Sequence, residues 1–156
     1  MSSEANGAES RNEQLTRNVN ELLGELRVAQ AGVQILFGFL LAVVFTSQFR
    51  EASGLEKSLH MTAVLLASVS TALLTAPAVW HRVLFRAGLR AEILRVGNRS
   101  VLIGLVCLAA AVTVTVALIA KVVYGFVAMA AFVAVVGVLF GVLWFVVPAR
   151  LGRRGR

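Results

Sequence analysis

Four long apolar runs, at 28–49, 59–80, 101–120 and 122–147, are separated by short charged joints. An α-helix rises about 1.5 Å per residue, so about 20 such residues cross a hydrocarbon core about 30 Å thick. The runs therefore fix the environment before any motif is read: the chain is built to cross a membrane four times. Composition agrees. Of 156 residues, 58% are hydrophobic, against about 45–50% in soluble domains. A chain this short has no single core that hides so much apolar surface, so lipid has to cover the remainder.

The net charge is +7, and all eight acids are glutamate. Such a basic excess can signal nucleic acid. Its placement speaks against nucleic acid and for anionic lipid, because the cations cluster at helix ends where headgroups lie. Counted joint by joint, twelve cations fall on one side: Arg11, Arg17 and Arg27, then Arg82, Arg86, Arg90, Arg95 and Arg99, then Arg150, Arg153, Arg154 and Arg156. Three fall on the other, Arg50, Lys57 and Lys121. The positive-inside rule then places a multi-pass protein in the plasma (cytoplasmic) membrane with both termini cytoplasmic. Trp80 and Trp144 fall at the inner interface and Tyr124 at the outer one, depths that such rings prefer.

The opening residues carry Glu4, Glu9, Glu13, Glu21 and Glu25 and do not read as a secretory signal. Residues 1–9 read as a disordered tail. Ser10 and Glu13 form a capping-box pattern, and Leu15, Val19, Leu22 and Leu26 follow at helical spacing. This predicts a cytoplasmic amphipathic helix over 10–27 that runs unbroken into the first span. The four-helix transmembrane domain covers 28–148, with a cytoplasmic joint at 81–100 and a basic tail at 149–156. In the joint, Arg82, Arg86 and Arg90 recur every four residues beside Phe85, Leu89, Ile93 and Val96. Spans 2 and 3 either extend past the membrane and turn near Gly88, or an interfacial helix lies on the bilayer. The amphipathic helix either docks with Glu21 or Glu25 near Arg82, Arg86 or Arg99, or leaves these charges solvated.

Span 4 presents Ala130, Ala134, Gly137 and Gly141 on one face, and span 3 presents Gly97, Gly104 and Ala111. Small residues let helix backbones approach closely in lipid. The span 4 face serves either packing within the bundle or association of two copies.

Candidate chemistry is sparse. No Asp, Glu, Lys or Arg lies well inside the four runs, whereas ion transport usually places an ionisable or carbonyl-lined site at membrane depth. The interior polar groups are Gln30 and Gln34, then Ser68, Ser70, Thr71 and Thr75, then Thr113 and Thr115. Pro77 predicts a helix kink and strips the Leu73 carbonyl of its donor. Gln34 either donates to the backbone around this kink or bonds a hydroxyl across the bundle. Glu25, Arg27, Gln30, Gln34, His81, Arg82, Asn98 and Arg99 form a candidate polar cluster at the cytoplasmic mouth, in which His81 is either a titrating sensor or an interfacial anchor. Arg82, Arg86, Arg90 and Arg95 are candidate contacts for anionic lipid. His60 and His81 are 21 residues apart in sequence, about 31 Å along a helix, so they do not share a haem. Cys107 is the lone cysteine and reads as an inert packing residue. No nucleophile–base pattern, carboxylate pair or phosphate-binding loop is present in the sequence, so no enzyme activity, metal or cofactor is expected.

The stretches ELLGELRVAQAGVQILFGFLL, APAVWHRVLFR and VGNRSVLIGL resemble a family of small bacterial, largely actinobacterial, membrane proteins catalogued as domain of unknown function 6328. The resemblance covers 18–147. It implies that Glu25, Arg27, Gln30, Gln34, Pro77, His81, Arg82, Asn98 and Arg99 correspond to the family's polar signature. Some relatives carry a sodium:proton antiporter label. The function expected is a non-enzymatic scaffold or regulatory membrane component, with the bilayer, a second copy of the chain or another protein as partner. The alternative is an oligomeric pore or secondary transporter for a cation, proton or small solute.

Overall fold

The computed structural model describes residues 17, 24, 26–84 and 90–154. The Ser10–Glu13 box, Glu21, Glu25, Arg86 and Gly88 lie outside the described residues, as do the side chains of His81, Arg90 and Arg95. The elements are α1 (Leu26–Val43), α2 (Ser47–Glu51), α3 (Gly54–Leu84), α4 (Arg90–Tyr124), α5 (Phe126–Gly141) and α6 (Val147–Arg154), with a π-helical turn at Val142–Val146. No strand occurs among the described residues. Four segments are long and apolar enough to cross a membrane: Leu26–Val43, Gly54–Trp80, Val96–Tyr124 and Phe126–Arg150.

The first span ends earlier than the apolar pattern predicts. Thr46 interrupts it: its hydroxyl donates to the Val43 carbonyl at 2.8 Å and accepts the Phe49 amide at 3.3 Å. A side chain that can bond its own backbone competes with the helical ladder, so the helix stops and α2 restarts with Thr46 as its N-cap. Ser53 then caps α3 through a reciprocal pair. The Ser53 amide donates to the Glu56 carboxylate at 2.7 Å, and the Glu56 amide donates to the Ser53 hydroxyl at 3.4 Å.

The turn between spans 3 and 4 lies at Gly125, not at Lys121. Gly125 has φ +89° and ψ −172°, a region open essentially to glycine alone. Val122, Val123 and Tyr124 add another helical turn before it, so Lys121 is carried inside α4.

The core belongs to three helices. From α1 come Leu26, Val33 and Leu40, one every seven residues. From α3 come His60, Ala63, Ala67, Ser70, Leu74 and Pro77, all buried at alternating steps of three and four. From α4 come Gly97, Val101, Gly104 and Ala111. This is the seam of tightly packed helices, made close by small side chains. A Cβ on Gly97 would lie 3.6 Å from Pro77, and one on Gly104 would lie 3.1 Å from both Leu73 and Leu74.

The fourth span is not part of that core. α5 packs against α4 but contributes no buried residue. It is apolar on every side, and Val127 is 83% exposed; a helix without a polar face has lipid as its natural surroundings. Ala130, Ala134 and Gly137 are exposed and Gly141 is half-buried. Among the described residues a Cβ on Gly137 or Gly141 would meet nothing within 4 Å, so none of the described elements packs on this small-residue face.

These contacts set a test. Gly104→Val forces atoms into the α3–α4 seam and should cost about 1–3 kcal/mol. Gly137→Val should change stability by less than about 0.5 kcal/mol. Thermal unfolding in detergent separates the two.

Candidate functional site

The polar side chains of the spans fall into two groups at opposite ends of the bundle. The first surrounds Pro77, which has no N–H and leaves the Leu73 carbonyl without a partner from its own helix. The Ser100 hydroxyl of α4 donates to that carbonyl at 2.8 Å. One residue on, the Gln30 side-chain amide of α1 donates to the Leu74 carbonyl at 3.0 Å. A turn further along, the Ser70 hydroxyl donates to the Gly104 carbonyl at 2.8 Å. Three helices are thus tied together where one of them has lost a backbone bond.

Among the described residues Gln34 takes no part in these bonds. Gln30 sits between Leu26 and Val33 on the buried stripe of α1, and Gln34, one residue past Val33, is exposed. At about 100° per residue the two lie only about 40° apart around α1, Gln30 nearer the stripe of Leu26, Val33 and Leu40 and Gln34 beyond its edge. Arg27, Arg82, Asn98 and Arg99 are exposed as well, so Gln30 is the member of the predicted cluster with a described cross-helix bond. The hydroxyls of Ser68, Thr71, Thr75, Thr113 and Thr115 donate to carbonyls four residues back on their own helices. Their hydrogens are engaged locally rather than aimed into a shared path.

The second group lies at the other end. Lys121 of α4 donates to the Glu56 carboxylate at 2.9 Å, with both side chains about four-fifths buried (17% and 20% exposed). Lys121 also lies 3.4 Å from the Ser53 hydroxyl. Glu56 thus serves as helix cap and as ion-pair partner at once. A nearby loop is secured by Lys57, which donates to the Arg50 carbonyl at 3.0 Å.

One turn along α3 from Glu56 stands His60, 1% exposed. The Phe49 ring meets it edge-on, with centroids 4.7 Å apart and planes at 60°. Neither ring nitrogen has a hydrogen-bond partner among the described residues. His60, Glu56 and Lys121 line one cavity of about 470 Å³, walled also by Phe39, Leu118 and Ile119. No group of three or more potential metal-ligating side chains occurs among the described residues.

The sequence pattern does not join Glu56, His60 and Lys121 into a site, because each lies near the limit of an apolar run. Two signals were present. Ser53-x-x-Glu56 is a capping box, and Glu56 and His60 are four residues apart, on one helix face.

The inner bonds are testable. Gln30→Leu and Ser100→Ala should each lower stability by about 0.6–2 kcal/mol, the range of interhelical hydrogen bonds in bilayers. Gln34→Leu should leave it unchanged. Titration from mild to denaturing detergent, followed by circular dichroism, reads all three.

No curated protein and no solved structure matches the chain. Its residues 8–148 match the model of a family of unknown function, DUF6328. That match spans nearly the whole sequence, together with the four membrane-length helices, and the chain belongs to the DUF6328 family.

Proposed function

We propose that this protein is a non-enzymatic component of the plasma membrane that acts by association, with both termini and the 81–100 joint on the cytoplasmic side. The observation that carries the reading is the one-sided placement of its cations. Arg27 opens α1, Arg82 lies near the end of α3 and Arg99 lies near the start of α4, all exposed. The antiparallel contacts Gln30–Leu74 and Ser100–Leu73 bring these three helix ends together. Twelve of the fifteen cations of the sequence fall on that side by chain order. Such a face suits anionic headgroups, at about 1 kcal/mol per basic residue. The uncovered small-residue face of α5 supports association with another membrane helix. The amphipathic helix over 10–27 would add to the cytoplasmic surface.

Lipid binding tests this. By native mass spectrometry, the wild type should retain phosphatidylglycerol over phosphatidylcholine. Replacing Arg82, Arg86 and Arg90 together by Gln should weaken that preference about a hundredfold, as three cations at about 1 kcal/mol each require. An unchanged preference would sink the reading.

A second reading, transport of a proton, cation or small solute, is favoured by one observation: a cavity holding His60, Glu56 and Lys121 at the opposite end. Proteoliposomes under pH and sodium gradients decide it. Flux that disappears in Glu56→Gln would establish the transport reading over the first. Absence of flux from folded, oriented protein would leave association.

A further inference from the structure

We propose that His60 is an acid-sensitive latch for α2: proton uptake by its imidazole releases the short Ser47–Glu51 helix from the end of the bundle that holds Glu56 and Lys121. This goes beyond the association reading and does not depend on it. His60 is 1% exposed, and neither ring nitrogen has a hydrogen-bond partner among the described residues. A neutral imidazole tolerates such a place. An imidazolium is a charge with two N–H donors, and burying it unpaired is far more costly.

The elements packed around the ring decide what a proton meets there. On α3, Glu56 stands one turn before His60, but its Oε1 accepts from Lys121 at 2.9 Å and its Oε2 accepts from the Ser53 amide at 2.7 Å. Lys57 of the same helix is exposed and donates to the Arg50 carbonyl. On α4, Lys121 is itself a cation and lines the same cavity as the imidazole. From α1, the Leu40 carbonyl lies beside the ring without completing a hydrogen bond; it could serve one N–H and would leave the second. From α2 comes the apolar Phe49 ring, edge-on at 4.7 Å, while Arg50 and Glu51 are exposed to solvent and travel with their helix.

A proton on His60 is therefore relieved by water, and α2 is the element that can admit it. It is five residues long and contains no buried residue. Its described ties are the Thr46 cap, the Phe49–His60 contact and the Lys57 bond to the Arg50 carbonyl. An element with so few buried contacts opens at low cost, and opening lifts the Phe49 ring from the imidazole. The open form takes up the proton and the closed form does not. Opening thus grows as the pH falls below about 6.5, where an exposed histidine titrates. From about pH 7.5 to about pH 5 the open-to-closed ratio rises about thirtyfold.

The experiment uses the full chain in phosphatidylcholine nanodiscs, with Cys107→Ser. Nitroxide labels sit on Ser47→Cys of α2 and Leu102→Cys of α4, both exposed positions. Pulsed electron–electron resonance reads their separation at the two pH values. The expected result is a second distance in acid, its share relative to the first raised about thirtyfold. His60→Phe, which keeps an aromatic ring beside Phe49, should abolish the response, and Glu51→Gln should retain it. His60→Gln repeats the test with a side chain that is polar and does not titrate. A reference pair across the core, Leu65→Cys on α3 with Val96→Cys on α4, both exposed, should keep one distance throughout. A Ser47–Leu102 distance indifferent to pH overturns the proposal. So does a response that survives in His60→Phe or His60→Gln, or one that is lost in Glu51→Gln. A reference pair that changes as well also overturns it, because the whole bundle has then loosened.

Discussion

A peptide carbonyl without a donor costs several kcal/mol inside hydrocarbon, where no water can serve it. Pro77 creates such a carbonyl at Leu73. Ser100 answers it from α4, and Gln30 reaches the next carbonyl from α1. Both helices must stand close to α3 and in one register for these bonds to form. The small residues meet that requirement: Gly97 lies against Pro77 and Gly104 against Leu73 and Leu74. Proline, glycines and polar side chains are one device, since a bulky residue at Gly104 would hold α4 too far away for Ser70 and Ser100 to reach across. Lipid gives no hydrophobic drive between helices, so close packing and such bonds have to hold them together.

The same logic explains why α5 stands apart. It offers no polar group to answer and no matched seam. Its small-residue face points away from the core, as the open space around Gly137 and Gly141 shows. The protomer is thus a three-helix core with a fourth span laid on α4. Its two ends differ in kind. Near Pro77, Gln30, Ser70 and Ser100 are spent on cross-helix bonds, and Arg27, Arg82 and Arg99 are exposed. Near Gly125 a cap, an ion pair and a buried histidine surround a cavity.

Much of the fold could be read before any coordinates. Four spans follow from four apolar runs, because a helix must be about as long as the bilayer is thick. The packing role of Gly97, Gly104 and Ala111 follows from their spacing of seven. Helix ends were harder. Thr46 breaks the first span through its own hydroxyl, a local competition that mean hydropathy does not register. Gly125 took the turn from Lys121 because backbone conformation outweighed charge. The candidate site was less legible. The polar pattern inside the runs points to Gln34 for the backbone around Pro77, whereas Gln30 makes that bond. Glu56, His60 and Lys121 do not stand out as a group in the pattern, because a window of hydropathy assigns them to the borders.

The amino-acid sequence by itself determined the solvent of this protein, the number of its crossings and the residues able to approach closely. These depend on length, composition and period, which are properties of a single helix. Only the tertiary structure decided that Gln30 rather than Gln34 serves the backbone near Pro77, that α5 lies outside the core, and that Lys121 reaches Glu56 across 65 residues of sequence. Each of these depends on how helices rotate about their axes and slide past one another. A pattern within one helix says which face is apolar but not which neighbour, at what depth, that face will meet.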